Sequence, residues 1–487
     1  MKTSTSALGM AASLLVSTSR AAVCKPLVKD ALVGSIHLED LMACSQDLQD
    51  IAYSTELRNR VVGTDGHKKT VQYITETLQS LGDYYTLEYQ EVRTPATISS
   101  TSNLSVNGAE VEANILEFSN NGTWTDVPVV VVAELGCVAE NYPDLTGSVA
   151  LIARGECTFA LKGELAGQAG AVAALVYNNA AVGKTGGTLG GPNELITVGG
   201  ISRADGLRLA EAISNGEAVV SSGSFGSFVT DTVSQNVIAT SKYGDPDNVL
   251  FLGAHSDSVA AGPGINDNGS GSCGLLTVAK ALSNWRTNNQ VKFAWWAAEE
   301  EGLIGAETFV NVTAKEQLDK IRLYLNFDMI ASPNYVLSIY DGDGSAFNVS
   351  GPAGSAEAEK LFEDYYTANN IPFTSSEFDG RSDYGPFLDA GIPCGGLDTG
   401  ADGVKTEEEV AIFGGVANQW YDPNYHSAKD TVDNLAPEAY ITTGKAIAHA
   451  VASYGRSWAG FPEREPVAVT PRDVHATVGH HGHSLPF

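Results

Sequence analysis

Two adjacent glutamates, Glu299 and Glu300, directly follow the apolar run 291–296 in VKFAWWAAEEEGLIGA. Such a run reads as a buried strand, and carboxylates packed at its end are costly to desolvate unless a cation or a shared proton compensates them. Metal ligation is the chemistry this pattern offers. The same arrangement recurs upstream, where the run 249–252 feeds Gly253-Ala254-His255-Ser256-Asp257-Ser258, and downstream, where 323–327 leads into Asp328-Met329-Ile330. Two further segments add ligand-type residues. One is Gly264-Ile265-Asn266-Asp267-Asn268-Gly269-Ser270-Gly271, too glycine-rich for regular structure ahead of a helical 275–282; the other is Tyr421-Asp422-Pro423-Asn424-Tyr425-His426. Mixed imidazole and carboxylate ligation suits zinc. The surplus of carboxylates over a three-ligand site points to two ions sharing one bridging aspartate.

Three apolar strands therefore deliver polar residues to one edge of a sheet, and in open α/β sheets the crevice outside the carboxyl ends of the strands is where ligands bind. Each piece has an ordinary role when taken alone. A His-x-Asp after a strand makes a structural hydrogen bond, a Glu-Glu pair favours a helix start, Asp267 suits a turn, and His426 suits an exposed loop. Their joint occurrence in this order is what favours a metal centre.

The blocks GAHSDSV, GINDNGSGS, FAWWAAEEEGL, NFDMI, GRSDYGPF and YDPNYHSAKD, spanning about 236–430, resemble those of the dinuclear zinc aminopeptidases. Among these the chain most resembles the fungal secreted leucine aminopeptidases and vacuolar aminopeptidase Y. The resemblance implies a zinc exopeptidase fold, an α/β arrangement with a mixed central β-sheet flanked by helices. It implies two Zn2+ per chain, one held by His255, Asp267 and Asp328 and the other by Asp267, Glu300 and His426, with a water shared between the ions as the attacking group. Glu299 falls on the family's general base, which would take the water's proton and pass it to the leaving amine. Asp257 would orient His255, and Tyr425 would hydrogen-bond the substrate carbonyl or, alternatively, simply pack. Arg381 matches a position near the substrate's amino-terminal end, with a structural ion pair as the alternative. Bacterial relatives flank the histidine with cysteines where this chain has Asn424 and Lys429. The activity implied is removal of amino-terminal residues, Leu and other apolar ones foremost, from peptides with free N-termini. Carboxypeptidase or glutaminyl cyclase action on the same fold, and a catalytically inactive binding protein, are the alternatives; no cluster of basic residues favours the first, and a full ligand set disfavours the last.

The organisation around these blocks is discontinuous. Lys2, the apolar stretch 7–16 and the small residues 17–22 read as a signal peptide, residues 1–22. Helical spacing over 37–54 and 66–82 and a strand near 84–92 open a peptidase domain at 23–93. Short strands at 129–132, 149–153 and 171–177, with helices near 159–170 and 204–214, form an insert at 94–230, within which 151–179 resembles the protease-associated domain of exported peptidases. The peptidase domain resumes at 231–459, and a tail at 460–487, carrying His475, His480, His481 and His483, is expected to be disordered.

Composition fits an exported enzyme, secreted or, alternatively, in a vacuolar lumen. A net charge of −29 and a pI near 4.5 disfavour nucleic acid and anionic membranes as partners, and no later apolar run is long enough to span a bilayer. A monomer is expected. Six cysteines in an exported chain favour disulfides; sequence proximity and domain membership pair Cys24 with Cys44, Cys137 with Cys157, and Cys273 with Cys394. Glycosylation sequons lie at Asn103, Asn121, Asn268, Asn311 and Asn348, of which Asn268, next to Asp267, should be shielded.

Overall fold

The computed structural model describes residues 24–179 and 182–464. The expected signal peptide and the histidines of the tail lie outside the described residues.

At the centre are the strands Asp245–His255, Asn289–Trp296, Ile321–Phe327 and Cys394–Asp398. They run parallel to one another, in the order Asn289–Trp296, Asp245–His255, Ile321–Phe327, Cys394–Asp398. Antiparallel strands flank them on both sides, so the sheet is mixed. Both faces are covered, which is why these strands read as unbroken apolar runs rather than as alternating ones. The adjacent Trp295 and Trp296 show the two-residue period within that run. Trp295 packs into the core beneath the helices Leu38–Tyr53, Gly271–Leu282 and Pro437–Tyr454, while Trp296 packs into the opposite core with Phe251, Phe309 and Phe387. Each indole N–H finds a partner, Ser272 O at 3.0 Å and Tyr324 Oη at 2.8 Å, as buried tryptophans require.

Register sets the level of the polar residues. His255 is aligned with Trp296, so Glu299 and Glu300 emerge just past it. Gly253 is aligned with Asn326, which puts Asp328 level with His255 two residues further on. Gly253 has no room for a side chain, since a Cβ there would lie 2.0 Å from Tyr324 Oη.

The insert has its own sheet, Gly122–Val131, Val149–Ala153, Ala173–Tyr177, Thr197–Ile201 and Ala113–Ile115, with an apolar core on each face. Its connection to the peptidase part is a long antiparallel ribbon, Tyr85–Val106 against Val220–Ser241. The expected boundaries at 94 and 230 fall in mid-ribbon, where Thr94 pairs with Thr232 and Ala96 with Thr230. The strand expected near 84–92 therefore continues through Val106, because hydrogen bonding to one partner carries it across both domains.

The glycine-rich segment is irregular, as expected: within 265–270, Asp267 (φ −106°, ψ 97°) and Asn268 (φ −117°, ψ 47°) are non-helical, and this fully buried stretch precedes the helix Gly271–Leu282. Two expectations are corrected. The tail does not begin at residue 460, since Phe461 packs on Tyr454 and Trp458, and the Arg464 guanidinium bonds the Ile321 carbonyl. The disulfides join Cys44 to Cys273 and Cys137 to Cys157, leaving Cys24 and Cys394 as free thiols. Proximity in sequence misled two of the pairings. Cys44 and Cys273 sit on helices packed over one face of the sheet, whereas Cys394 points into the core on the other face. Asn268 is fully buried, and the other sequon asparagines are exposed.

Because Cys44–Cys273 closes a span of 229 residues, its loss should raise the entropy of the unfolded chain considerably. Replacing both cysteines by alanine should lower unfolding free energy by about 2–4 kcal/mol, read from denaturant midpoints. The Cys24→Ala variant should stay at the wild-type value, and a peptide map without reduction should yield the 44–273 linkage.

Candidate metal centre

Five residues from five separate segments meet at the carboxyl edge of the parallel strands. His255 Nε2 lies 3.2 Å from Asp267 Oδ1 and 3.5 Å from Asp328 Oδ1. His426 Nε2 lies 3.0 Å from Asp267 Oδ2 and 3.1 Å from Glu300 Oε2. Asp267 therefore turns one carboxylate oxygen to each imidazole. The sets His255, Asp267, Asp328 and Asp267, Glu300, His426 each bring ligand atoms within 4.8 Å of one another. Glu299 is at the same place, its Oε2 3.8 Å from His255 Nε2, so that His255, Glu299 and Glu300 form a third grouping of this kind.

The loop bearing Asp267 is held by its neighbours. The backbone N–H groups of Asn266 and Asp267 donate to the Asp430 carboxylate at 2.7 and 3.0 Å. The Asn266 amide donates to Asp422 Oδ2 at 2.7 Å, and the Asn268 amide donates to the Phe327 carbonyl at 2.9 Å, just before Asp328. Gly271 allows that approach, because a Cβ there would stand 2.1 Å from the same carbonyl. Asp430 and Asp422 belong to the His426 loop, so these bonds join two ligand-bearing segments directly. Asn424, two residues before His426, donates to Asn434 Oδ1 at 2.6 Å, and this hydrogen bond braces the loop.

Asp257 is fully buried and accepts the backbone N–H groups of Glu299 and Glu300, both at 3.3 Å. Its oxygen stands 3.6 Å from His255 Nδ1, beyond hydrogen-bonding range, so its nearer contacts are with the Glu-Glu backbone rather than with the imidazole. Tyr425 stacks on His426, ring centroids 3.8 Å apart. Arg381 is 66% exposed and committed to Asp379, with Nε 2.6 Å from the carboxylate. Three residues at the site, Ala298, Met329 and His426, have φ of 62°, 52° and 51°. Non-glycine residues rarely adopt this left-handed conformation, and it costs about 1–2 kcal/mol each.

The electrostatics are those of an anionic cluster seeking positive charge. Burial alone would lower the His255 pKa, but the facing Asp328 and Glu299 carboxylates raise it well above the ordinary imidazole value. At His426, burial is likewise outweighed by Glu300 and Asp267. Burial raises Glu299 well above the carboxylate range, reinforced by the charges of Glu300 and Asp328. His255 Nε2, Glu300 Oε1 and Asp328 Oδ1 are buried without a hydrogen-bond partner, a condition proteins rarely leave uncompensated.

Several neighbours had escaped notice in the sequence. Asp383 is fully buried with both carboxylate oxygens unpartnered, and burial raises its pKa well above normal. Ser382 donates to Asp328 Oδ2 at 2.6 Å. Both lie in GRSDYGPF, where only Arg381 drew attention. The buried Arg60 guanidinium bonds the carbonyls of Ser256, Pro263 and Gly264, bracing the strand end and loop around His255. Glu117, from the insert, is pushed up to about 7 by burial and by the charge of Glu300. A lone glutamate in an unrelated segment carries no signal for such a role. The insert also touches the peptidase part at Gly183, which lies against the Trp420 indole.

Residues 236–451 match the model of peptidase family M28, and residues 125–209 match the PA domain. The chain is 49% identical over 442 residues to "Probable leucine aminopeptidase 2" of Aspergillus fumigatus, covering 90% of this chain and 87% of that protein. It is 45% identical over 469 residues to leucine aminopeptidase 2 of Arthroderma otae, covering 95% and 94%. A solved aminopeptidase from Aneurinibacillus sp. strain AM-1 superimposes with a TM-score of 0.68 at 26% identity, over 91% of this chain and 99% of that one.

His67 offers a measurable consequence of the packing behind the centre. Its ring nitrogens meet Ser256 Oγ at 3.0 Å and Ser234 Oγ at 2.9 Å, and burial lowers its pKa to about 4. A depressed histidine pKa means that the unfolded chain binds a proton, between its ordinary value and about 4, that the folded chain refuses. Stability is therefore lost as pH falls through that window. Between pH 7 and 4.5 the wild type should lose about 2 kcal/mol more unfolding free energy than His67→Gln, measured by denaturant titration at each pH.

Proposed function

Because this chain belongs to peptidase family M28, we propose that it is a zinc aminopeptidase releasing Leu and other apolar residues from the amino termini of peptides. The observation that carries this reading is the division of the Asp267 carboxylate between two imidazoles, with buried ligand atoms of His255, Glu300 and Asp328 left without partners. Such a donor set fits two zinc ions, one held by His255, Asp267 and Asp328 and the other by Asp267, Glu300 and His426. Bound there, they would supply Lewis-acid chemistry, polarising the scissile carbonyl and lowering the pKa of the attacking water.

The remaining work falls to side chains. Glu299 is assigned as the general base: the proton it accepts from water goes to the leaving amine. Its carboxylate stands next to ligand Glu300 and 3.8 Å from His255 Nε2, within reach of a water held at the centre. Asp257, bonded to the amides of Glu299 and Glu300, fixes base and ligand relative to each other. Tyr425, whose pKa burial raises well above normal, stays protonated and donates to the oxyanion. For Arg381, the bond to Asp379 favours the ion-pair role. Glu117 brings a carboxyl group from the insert towards Glu300 and His426; with its pKa raised to about 7 it is ionised above that pH, where it would attract the α-ammonium of a substrate. The two disulfides suit an oxidising compartment, and we assign the chain to secretion, with a vacuolar lumen as the alternative.

Hydrolysis of leucine p-nitroanilide should vanish on chelation and return with zinc, and activity indifferent to the chelator would refute the metal reading. Glu299→Gln should lower kcat about 10²–10⁴-fold, because an amide cannot take up the proton.

Glu117→Gln should act differently, raising KM for amino-terminal substrates several-fold with little change in kcat, as expected for a group that attracts substrate without touching the reacting atoms.

A further inference from the structure

A second acidic cluster lies away from the metal centre. Asp341 and Asp343, in Asp341-Gly342-Asp343-Gly344, and Glu359, on the helix Ser355–Ala368, bring carboxylate oxygens within 4.8 Å of one another. Asp341 is fully buried and Glu359 only 4% exposed, whereas Asp343 opens to solvent. Among the described residues no lysine, arginine or histidine forms an ion pair with any of the three.

The polar groups of the loop are nearly all accounted for. Asp341 Oδ2 accepts the backbone N–H groups of Ala346 and Phe347 at 3.1 and 2.8 Å, and Glu359 Oε2 accepts that of Asp343 at 2.9 Å. Asp341 Oδ1 is left over, buried and without any partner. An unpaired carboxylate oxygen in the interior, with two more acids beside it, is a costly arrangement unless a cation sits among them. Gly342 permits the close approach of loop to helix, since a Cβ there would lie 2.3 Å from the Ser355 carbonyl. Burial, together with the charges of Asp343 and Asp341, pushes Glu359 up to about 7; the cluster resists gathering full negative charge by itself.

We propose that Asp341, Asp343 and Glu359 form a calcium site that pins the loop after the strand Ser338–Tyr340 to the helix Ser355–Ala368. The donors are all hard oxygens, with no imidazole or thiolate, which disfavours zinc. Calcium accepts an irregular shell of carboxylates completed by water, and the exposed side at Asp343 leaves room for that water; magnesium demands a near-ideal octahedron. The site is separate from the catalytic edge. Ser338–Tyr340 runs antiparallel to Cys394–Asp398, which is parallel to Ile321–Phe327, so Asp341 emerges at the opposite edge from Asp328. Its effect is on stability, not on turnover.

The test uses the full chain, zinc-loaded and passed through buffers freed of alkaline-earth ions, titrated with calcium chloride at constant zinc. Calorimetry should give one site, and the thermal midpoint should rise by a few degrees. Asp343→Asn, at the exposed rim, should weaken calcium binding about tenfold or more and abolish the midpoint shift, while leucine p-nitroanilide turnover stays at the wild-type value. Glu359→Gln should do the same; if that buried substitution fails to fold, Asp343→Asn decides alone. A wild-type midpoint indifferent to calcium, or an equal shift in wild type and Asp343→Asn, overturns the proposal.

Discussion

The structure turns on one carboxylate, that of Asp267, placed between two imidazoles that come from segments more than a hundred residues apart. A buried carboxylate is tolerated only where positive charge faces it, and here each oxygen has its own nitrogen, His255 on one side and His426 on the other. Burial works against the charged form, yet the two histidines hold Asp267 below its ordinary pKa. The carboxylates that raise both imidazole pKa values are the same groups that would hold divalent ions there.

Holding that arrangement has a structural cost, and the fold distributes it. Three left-handed residues stand beside the ligands, and together they cost a few kcal/mol. A single fully buried large apolar side chain contributes about 1.5–3 kcal/mol, so the strands that deliver the ligands, with Trp295, Trp296, Phe251 and Phe327 wholly buried, outweigh that strain. Rigid placement then comes from hydrogen bonds rather than apolar packing. Asn266 and Asn268 each tie the turn around Asp267 to a different segment, while Arg60 fixes three carbonyls around the end of the His255 strand.

Much of the centre was legible because its elements announce themselves locally. An apolar strand that ends in His-x-Asp, Glu-Glu or Asp is visible without any knowledge of pairing, and His255, Glu299, Glu300 and Asp328 from such endings come together with Asp267 and His426 from two loop segments. What escaped depended on which face of the sheet a residue occupies, or on partners far away in sequence. Cys273 and Cys394 look like neighbours in one domain, but one lies on each face of the sheet. The glycine content of 264–271 announced an irregular stretch, but not the bond from the Asn266 backbone to Asp430 that holds it in place. Asp383 and Glu117 had no motif of their own, and only their burial against the cluster distinguishes them.

Glu117 also bears on how a substrate would be selected. The chain carries a net charge of −29, and it would be simple to credit that field with drawing in protonated amino termini. Screening argues otherwise: at physiological ionic strength the Debye length is about 8 Å, so charges spread over the surface of a 51.1 kDa chain are mostly silent at the cleft. A carboxyl group nearer the centre is Glu117 of the insert, whose pKa burial and the charge of Glu300 raise to about 7. Gly183, also from the insert, lies against the Trp420 indole, in the segment leading to His426. On the proposed reading the insert contributes a half-buried carboxyl group that feels the charge of Glu300, and the ribbon Tyr85–Val106 with Val220–Ser241 joins it to the peptidase part.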